Sequence, residues 1–104
     1  MVNILIFGCT GLVGKTLIKL IELRDFKCNR ITLVASTKNK GTFLNVQGNT
    51  CIIVEPADTI KLMDLDIIFF CSSSELASKY CPIYLQNNTN CFVIDNSSYY
   101  RLHS

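Results

Sequence analysis

Residues 2–14 read VNILIFGCTGLVG, and this stretch decides the fold. Val2–Phe7 is a short apolar run without helical period that ends at Gly8, which predicts a buried strand. The next seven residues, Gly8–Gly14, form a G-x-x-G-x-x-G loop. An amphipathic segment follows directly, so this loop joins a strand to a helix.

The segment Leu12–Leu23 has the spacing of a helix with one buried face. Its apolar residues and one threonine recur at i, i+3 and i+4; they are Leu12, Val13, Thr16, Leu17, Leu20, Ile21 and Leu23. Lys15, Lys19 and Glu22 fall on the polar side. Thr10 is a suitable N-cap, because its hydroxyl can accept a hydrogen bond from the first helical turn.

Three further apolar runs predict buried strands, at Ile31–Ala35, Asp66–Cys71 and Cys91–Ile94. A hairpin is expected from the β-prone stretches Thr42–Val46 and Thr50–Val54 around Gly48-Asn49.

Two helices complete the prediction, a short one at Asp58–Met63 and a longer one at Glu75–Gln86. Pro82 lies inside the longer helix and should kink or end it.

The predicted order is β-α-β, a hairpin excursion, then β-α-β. Strands that are apolar on both faces and alternate with helices indicate a mostly parallel sheet covered on both sides. The fold class is therefore α/β, a doubly wound sheet with helices on both faces. With 104 residues, the chain is expected to form one domain, residues 1–104.

Composition excludes several classes of protein. Hydrophobic residues make up 49% and charged residues 17%, so disorder is not expected. The formal net charge is +2 without a basic block, which argues against nucleic-acid binding. No apolar stretch is long enough to cross a bilayer, and no signal peptide is evident. We expect a cytoplasmic protein without a membrane partner.

The chain contains six cysteines and one histidine, His103. Cytosolic thiols stay reduced, so most of the cysteines are expected to be small buried hydrophobic residues. There is no Cys-x-x-Cys pair, and a metal site is not expected.

The glycine loop is typical of a Rossmann-type dinucleotide site. Gly8 permits the sharp turn, Gly11 lets the backbone approach a pyrophosphate, and Gly14 allows close packing of helix on strand. The N–H groups at the helix start attract phosphate. Because the loop follows a strand and opens a helix, we predict dinucleotide binding.

The end of the second strand suggests which dinucleotide is bound. NAD-preferring folds usually carry an acid there for the ribose 2′-hydroxyl. This strand is followed by Ser36-Thr37-Lys38-Asn39, with hydroxyls and a lysine instead of an acid. Such residues suit a 2′-phosphate, so NADP is the predicted cofactor.

Together these motifs resemble the aspartate-semialdehyde dehydrogenase family. Its members open with G-A-T-G-x-V-G, matched by Gly8–Gly14 with Cys9 in place of alanine. Ala35–Asn39 resembles their A-S-x-R-S turn. Ile94–Arg101 repeats their I-D-N-S-S segment with its following arginine.

The resemblance implies a function and a set of site residues. The family reduces β-aspartyl phosphate with NADPH to aspartate β-semialdehyde and phosphate, a step toward lysine, threonine and methionine. Arg101 and Asn96 would hold the substrate phosphate. The cofactor would contact Gly8, Thr10, Gly11, Leu12, Val13, Gly14, Ser36, Lys38, Asn39 and, after the third buried strand, Ser72.

The family's catalytic cysteine and histidine lie on a second domain, beyond the segment matched by Ile94–Arg101. No catalytic residue is therefore assigned here, and Cys71 with His103 is a poor substitute, because a chain end does not hold a base in place. We expect a homo-oligomer or a partner chain carrying the catalytic domain.

Two alternative functions stay open. One is a fragment of the related N-acetyl-γ-glutamyl-phosphate reductase, and the other is a non-catalytic NADP-sensing module. One departure from the family concerns Ser73 and Ser74, which replace a Gly-Gly pair and could weaken cofactor binding.

Overall fold

Strand β1 (Val2–Phe7) lies inside a six-stranded sheet in the computed structural model, which describes residues 2–24 and 26–95. The sheet order is β3-β4-β2-β1-β5-β6, and only the β3–β4 pair is antiparallel. The remaining elements are α1 (Leu12–Leu23), β2 (Cys28–Val34), β3 (Phe43–Val46), β4 (Asn49–Val54), β5 (Ile67–Phe70), α2 (Ser74–Asn87) and β6 (Phe92–Asp95). The predicted doubly wound, mostly parallel sheet is confirmed.

Each face of the sheet carries its own hydrophobic core. On one side, Ile4 and Ile6 of β1 pack with Ile18 and Ile21 of α1. On the other side, the core contains Leu5, Phe7, Ile68, Phe70, Ala77 and Tyr84. Successive residues of a strand point to opposite faces, so both sides of β1 must be apolar. This explains why β1 shows no alternation of polar and apolar residues.

The buried face of α1 differs from the one expected from the sequence. Gly14, Ile18 and Ile21 are buried, whereas Leu12 and Leu23 are each 80% exposed. The predicted N-cap is also wrong, because Gly11 occupies the cap position and no side chain caps the helix. Gly14 lies on the side of α1 that packs closely against the loop, and the leucines at the two ends of the helix face outward.

The hairpin β3–β4 turns one residue earlier than predicted. Val46 pairs with Asn49, so Gln47 and Gly48 form a two-residue turn. Their φ angles are 54° and 79°, the positive values that a type I′ turn requires at both positions. The Gln47 side-chain amide donates to the carbonyl oxygens of Ile21, at 3.3 Å, and Phe26. These bonds fasten the hairpin to the C-terminal end of α1.

The predicted helix at Asp58–Met63 is wrong. The structure instead has one short 3₁₀ turn in this region, at Pro56–Asp58. The side chains of Glu55 and Asp58 bond reciprocally to each other's backbone N–H groups. The Thr59 hydroxyl donates to the Pro56 carbonyl at 2.8 Å. Such local bonds compete with a continuing helix.

Helix α2 continues through Pro82, so the proline does not end it. Proline has no N–H group, so Pro82 cannot donate the usual helical hydrogen bond to the Ser78 carbonyl. Both residues are exposed. Water can satisfy a carbonyl on this outer surface, which lowers the cost of the proline.

The strand predictions hold with shifted ends. Strand β2 starts at Cys28 and stops at Val34, while β5 and β6 each differ from prediction by one residue at either end.

A buried amide ties α2 to the segment before β5. Asn88 is 4% exposed and ends α2 as its C-cap. Its Oδ1 accepts from the Leu65 N–H at 2.9 Å, and its Nδ2 donates to the carbonyls of Leu62, at 2.8 Å, and Tyr84, at 2.9 Å. Nearby, the hydroxyls of Tyr84 and Thr59 are 2.6 Å apart. Burial raises the pKa of Tyr84 to about 12, so its hydroxyl stays protonated.

All six cysteines lie within the described residues as free thiols. Cys9 and Cys71 are buried, while the other four are half-buried, so the expectation of buried cysteines holds fully for two. In the described ranges, no cluster of three cysteine, histidine or acidic residues could hold a metal ion. The same ranges contain no helix long and apolar enough to span a bilayer.

Gly14 sets the distance between α1 and the end of β1. A Cβ atom at this position would lie 2.3 Å from the Gly8 carbonyl oxygen and 2.7 Å from the Cys9 Cα atom. Both contacts are with backbone, which cannot move aside as a side chain can. Only glycine therefore allows the first turn of α1 to pass this close to the loop.

We predict that Asn88→Ala lowers the free energy of unfolding by about 2–3 kcal/mol, because it leaves the buried Leu65 N–H without its acceptor. Asn87→Ala is the matched control, since that exposed amide makes one bond, to the Ile60 carbonyl. Urea denaturation followed by circular dichroism measures both. Equal losses for the two variants would show that the buried amide has no special role.

We predict that Gly14→Ala destabilises the chain by about 2–3 kcal/mol, because α1 must shift away from the loop. Gly11→Ala should change stability by less than about 1 kcal/mol, because its Cβ would make only ordinary contacts. Thermal unfolding of both variants tests the contrast. The prediction fails if Gly14→Ala unfolds at the same midpoint temperature as the parent protein.

Candidate dinucleotide site

A cleft of about 420 Å³ opens at the carboxyl edge of the sheet. Strand β1 pairs with β2 on one side and β5 on the other, so the strand order reverses here. In open α/β sheets, ligands bind at such a reversal. The cleft is lined by Phe7, Gly8, Thr10, Gly11, Ala35, Ser36, Pro56, Cys71, Ser72, Leu76 and Tyr80.

Gly8, Thr10 and Gly11 of the glycine loop line the cleft. The N–H groups of Gly8 and Cys9 both donate to the Val34 carbonyl, at 2.8 and 3.2 Å, which fixes the loop to the end of β2. Gly8 has φ +92°, and a Cβ there would lie 2.9 Å from the carbonyl carbon of Cys71. Gly8 thus serves both the turn and the contact with β5.

Gly11 differs from the other two glycines of the loop. A Cβ here would lie 3.6 Å from the Gly8 oxygen and 3.9 Å from the Cys71 oxygen, both ordinary distances. Its φ of −75° and ψ of 172° are accessible to any residue. The fold therefore does not require glycine at this position, and Gly11 lines the cleft.

The start of α1 offers hydrogen-bond donors beside the cleft. Gly11 is the N-cap and makes no side-chain hydrogen bond, and the first turn contains no acidic residue. The first intrahelical bond runs from the Lys15 N–H to the Gly11 oxygen at 2.9 Å. The N–H groups of Leu12, Val13 and Gly14 precede that bond and have no partner within the helix. Together they can bind an anion.

The turn after β2 brings Ser36 and Asn39 beside the glycine loop. Ser36 lines the cleft, and Asn39 closes the 3₁₀ turn Thr37–Asn39. The Asn39 Nδ2 atom lies 3.5 Å from the Thr10 Oγ1 atom, so two segments that were singled out separately in the sequence meet.

Two lysines on this turn have different surroundings. Lys40 pairs with Asp58 at 3.4 Å and with Glu55 at 3.8 Å. Lys38 is exposed and forms no ion pair with the described residues. Lys38 is therefore the cation that remains available to a bound anion.

The serines after β5 have separate roles. The Ser72 hydroxyl is buried at the cleft and has no hydrogen-bond partner among the described residues. An unsatisfied buried hydroxyl of this kind suits a polar ligand. Ser73 is the N-cap of α2 and accepts from the Leu76 N–H at 3.3 Å. Neither Ser73 nor Ser74 lines the cleft. The lining of the cleft therefore does not indicate that these two side chains would crowd a bound cofactor.

Six lining residues are not among those assigned to the cofactor from the sequence: Phe7, Ala35, Pro56, Cys71, Leu76 and Tyr80. Leu76 and Tyr80 are four residues apart on α2, so their spacing places them on one face of the helix but does not show that this face lines the cleft. Pro56 follows β4, whose end pairs with the end of β2.

The side chain of Cys9 points away from the ligand space. It is fully buried in the core on the α1 side, and this burial raises the pKa of the thiol to about 11. The thiol is therefore neutral near pH 7. Replacing the family's alanine with cysteine leaves the outer surface of the loop unchanged.

The residues assigned to the substrate phosphate, Asn96 and Arg101, lie outside the described residues, as does His103. Strand β6 ends at Asp95, which pairs with Phe70 at the carboxyl edge of the sheet.

Comparisons with known proteins agree with this geometry. Residues 3–104 match a family model described as semialdehyde dehydrogenase, NAD binding domain. The aspartate-semialdehyde dehydrogenase of Rickettsia bellii is 35% identical over 100 residues, which are 96% of this chain. Aspartate-semialdehyde dehydrogenase 2 of Vibrio cholerae is 31% identical over 95% of this chain.

A solved structure shows the same fold. The crystal structure of aspartate semialdehyde dehydrogenase II from Vibrio cholerae complexed with ASA superposes with a TM-score of 0.85 at 30% identity and covers 97% of this chain. The chain spans 32% of that structure and 29% of the length of the Rickettsia relative. With its glycine loop, its cleft and the match over residues 3–104, the chain belongs to the semialdehyde dehydrogenase family and forms its NAD-binding domain.

Proposed function

We propose that this chain is the NADP-binding portion of an aspartate-semialdehyde dehydrogenase. In the whole enzyme, β-aspartyl phosphate and NADPH with a proton would give aspartate β-semialdehyde, NADP⁺ and phosphate. The observation that carries the proposal is the cleft that Gly8, Thr10 and Gly11 line, beside the uncapped start of α1. The names of the relatives favour this function over an N-acetyl-γ-glutamyl-phosphate reductase fragment or a sensing module.

In this proposal the pyrophosphate lies on the loop from Thr10 to Val13. The free N–H groups at the start of α1 would donate to its oxygens, and the partial positive charge of the helix terminus adds attraction. The Ser72 hydroxyl, which lacks a partner among the described residues, would gain one from the cofactor. Gly8 and Gly14 support the loop through its contacts with β5 and α1.

The ribose 2′-phosphate is assigned to the turn after β2. Ser36 and Asn39 offer a hydroxyl and an amide beside the cleft, and Lys38 offers a positive charge. Lys40 is already paired with Glu55 and Asp58 and is a weaker candidate. The absence of an acid at Ser36–Asn39 supports NADP over NAD.

The substrate and the catalytic groups are assigned to other parts of the enzyme. We propose that Arg101 and Asn96 hold the substrate phosphate, because a guanidinium binds phosphate through two parallel bonds. The part matched here is 29% of the length of the Rickettsia relative and 32% of the solved Vibrio structure, so more than two thirds of each lies outside it. The family's catalytic cysteine and histidine would lie there, in a homo-oligomer or in a partner chain.

We predict that Gly11→Val removes nucleotide binding while the chain stays folded. The valine side chain fits the backbone angles of Gly11 but occupies the space proposed for the pyrophosphate. Titration with NADPH, run beside circular dichroism, tests this. Undiminished binding by the folded variant would show that the loop is only a structural turn.

We predict that the chain binds NADPH more tightly than NADH and that Lys38→Glu reverses the preference. The variant loses the bond from the Lys38 ammonium group to the 2′-phosphate, and its carboxylate repels that phosphate. NADPH binding should therefore weaken at least about tenfold. Fluorescence titration of both nucleotides measures the change. Lys61→Met is the control, since Lys61 lies outside the cleft. Equal affinities in the parent protein would contradict the assignment to NADP.

A further inference from the structure

Strand β3 is an edge strand, and β4 is its only neighbour in the sheet formed by the described residues. Hydrogen-bonded and non-hydrogen-bonded pairs alternate along an antiparallel ladder. The Ile53 N–H donates to the Thr42 carbonyl at 2.8 Å, so Thr42–Ile53 is a bonded pair and Phe43–Ile52 a non-bonded pair. The backbone groups of Phe43 and Asn45 therefore point away from β4, toward the open side of the sheet.

This edge is open and unprotected. The N–H groups of Phe43 and Asn45 have no partner among the residues that the structure describes. Proteins usually protect such an edge with charged residues, proline or a bulge. The sequence of β3 is FLNV, and its register with β4 is regular from Phe43–Ile52 to Val46–Asn49. None of the usual protective features is therefore present in this strand.

Two large apolar side chains lie beside the open backbone. Phe43 and Ile52 face each other across the hairpin and are 59% and 52% exposed. Leu44 and Val46 point to the other face, where they pack in the core beside α1. On the α2 side, the hydrophobic core of the described residues includes neither Phe43 nor Ile52. A strand added at this edge would cover both side chains in part.

We propose that β3 pairs with β3 of a second copy of this chain, antiparallel about a two-fold axis at Leu44. Phe43 then lies opposite the partner's Asn45, each such pair exchanges both of its N–H···O bonds, and the symmetry repeats the pair. Placing Phe43 opposite its own counterpart would set Asn45 against the partner's Gly41, outside the strand. Placing Asn45 opposite its counterpart would set Phe43 against the partner's Gln47. Only the Leu44 register uses both open positions of each strand.

The charge distribution favours a second copy at this edge. A two-fold contact sets β3 against itself, so a charged residue in the strand would lie close to a like charge. Residues 41–54 contain no charged residue, and Lys40, which precedes them, is paired with Glu55 and Asp58. The two phenylalanines become diagonal neighbours across the interface, within reach of each other. Each copy has one β3 edge, so the pairing closes as a dimer.

The interface is small, and the dimer should be weak. Stable interfaces bury about 1,200–2,000 Å² in total, and the pairing of two short strands falls near or below that range. We expect a monomer–dimer equilibrium with a Kd of about 10–1,000 μM. The nucleotide cleft is not involved, since no residue of β3 lines it. The inference therefore stands apart from the proposed function.

The test is analytical ultracentrifugation of the full chain and four variants from about 10 μM to 1 mM. Asn45→Pro removes an outward N–H and spares the β3–β4 ladder, because an edge strand tolerates proline at such a position. Asn45→Ala is its control, since alanine keeps the N–H and loses only the side chain. Phe43→Lys adds like charges at the contact. Phe92→Lys is its control, because Phe92 also begins an edge strand, β6, and is 66% exposed.

The mass of the parent chain should rise with concentration toward that of a dimer. Asn45→Pro and Phe43→Lys should raise the Kd at least about tenfold, whereas Asn45→Ala and Phe92→Lys should stay within about threefold of the parent. In ¹H–¹⁵N NMR spectra of the parent, the amide signals of Phe43 and Asn45 should shift with concentration. Circular dichroism confirms that the variants are folded; if Asn45→Pro is not, Phe43→Lys and the NMR shifts decide.

Three results would overturn the inference. The first is a parent chain that remains monomeric at about 1 mM. The second is growth beyond a dimer, which would indicate open-ended aggregation. The third is association that Phe92→Lys abolishes and Phe43→Lys does not, which would place the contact at β6. Each result leaves nucleotide binding, and with it the proposed function, to be judged by its own titrations.

Discussion

The close approach of α1 to the end of β1 is the constraint on which the other features depend. At Gly14 the helix backbone passes so near the Gly8 carbonyl that no side chain fits between them. This contact fixes where the first turn of α1 lies beside the glycine loop. It also determines which residues of α1 are buried, since Ile18 and Ile21 follow Gly14 on the same side. One glycine thus controls core packing and the geometry of the candidate site.

Much of the fold could be predicted because its central strands are apolar on both faces. Apolar runs mark β1, the second half of β2, β5 and β6 as strands, and the glycine loop indicates the strand-to-helix turn. Of the residues predicted to contact the cofactor, Gly8, Thr10, Gly11, Ser36 and Ser72 line the cleft, whereas Leu12, Val13, Gly14, Lys38 and Asn39 do not. Loops at the carboxyl ends of parallel strands meet at one edge, so residues distant in sequence could be grouped.

The failures have tertiary causes. The exposure of Leu12 and Leu23 could not be seen from helical spacing, because a small residue, Gly14, sets the contact. The segment after Pro56 has helical composition, yet side-chain bonds from Glu55, Asp58 and Thr59 stop it after one turn. The lining by Leu76 and Tyr80 depends on how α2 lies over the sheet, which the sequence alone does not give.

The hairpin β3–β4 has a consequence for local stability. Strand β4 joins the sheet through two residue pairs, Leu33 with Ile53 and Val34 with Val54, and through the Ala35 N–H, which donates to the Val54 carbonyl at 3.0 Å. The Gln47 amide fastens the turn of the hairpin to the C-terminal end of α1. A unit at the edge of the sheet with so short a ladder opens at a lower free energy than the central strands. Amide hydrogens of the hairpin should therefore exchange with solvent sooner than those of β1, and a ligand that bridges α1 and Asn39 should slow that exchange.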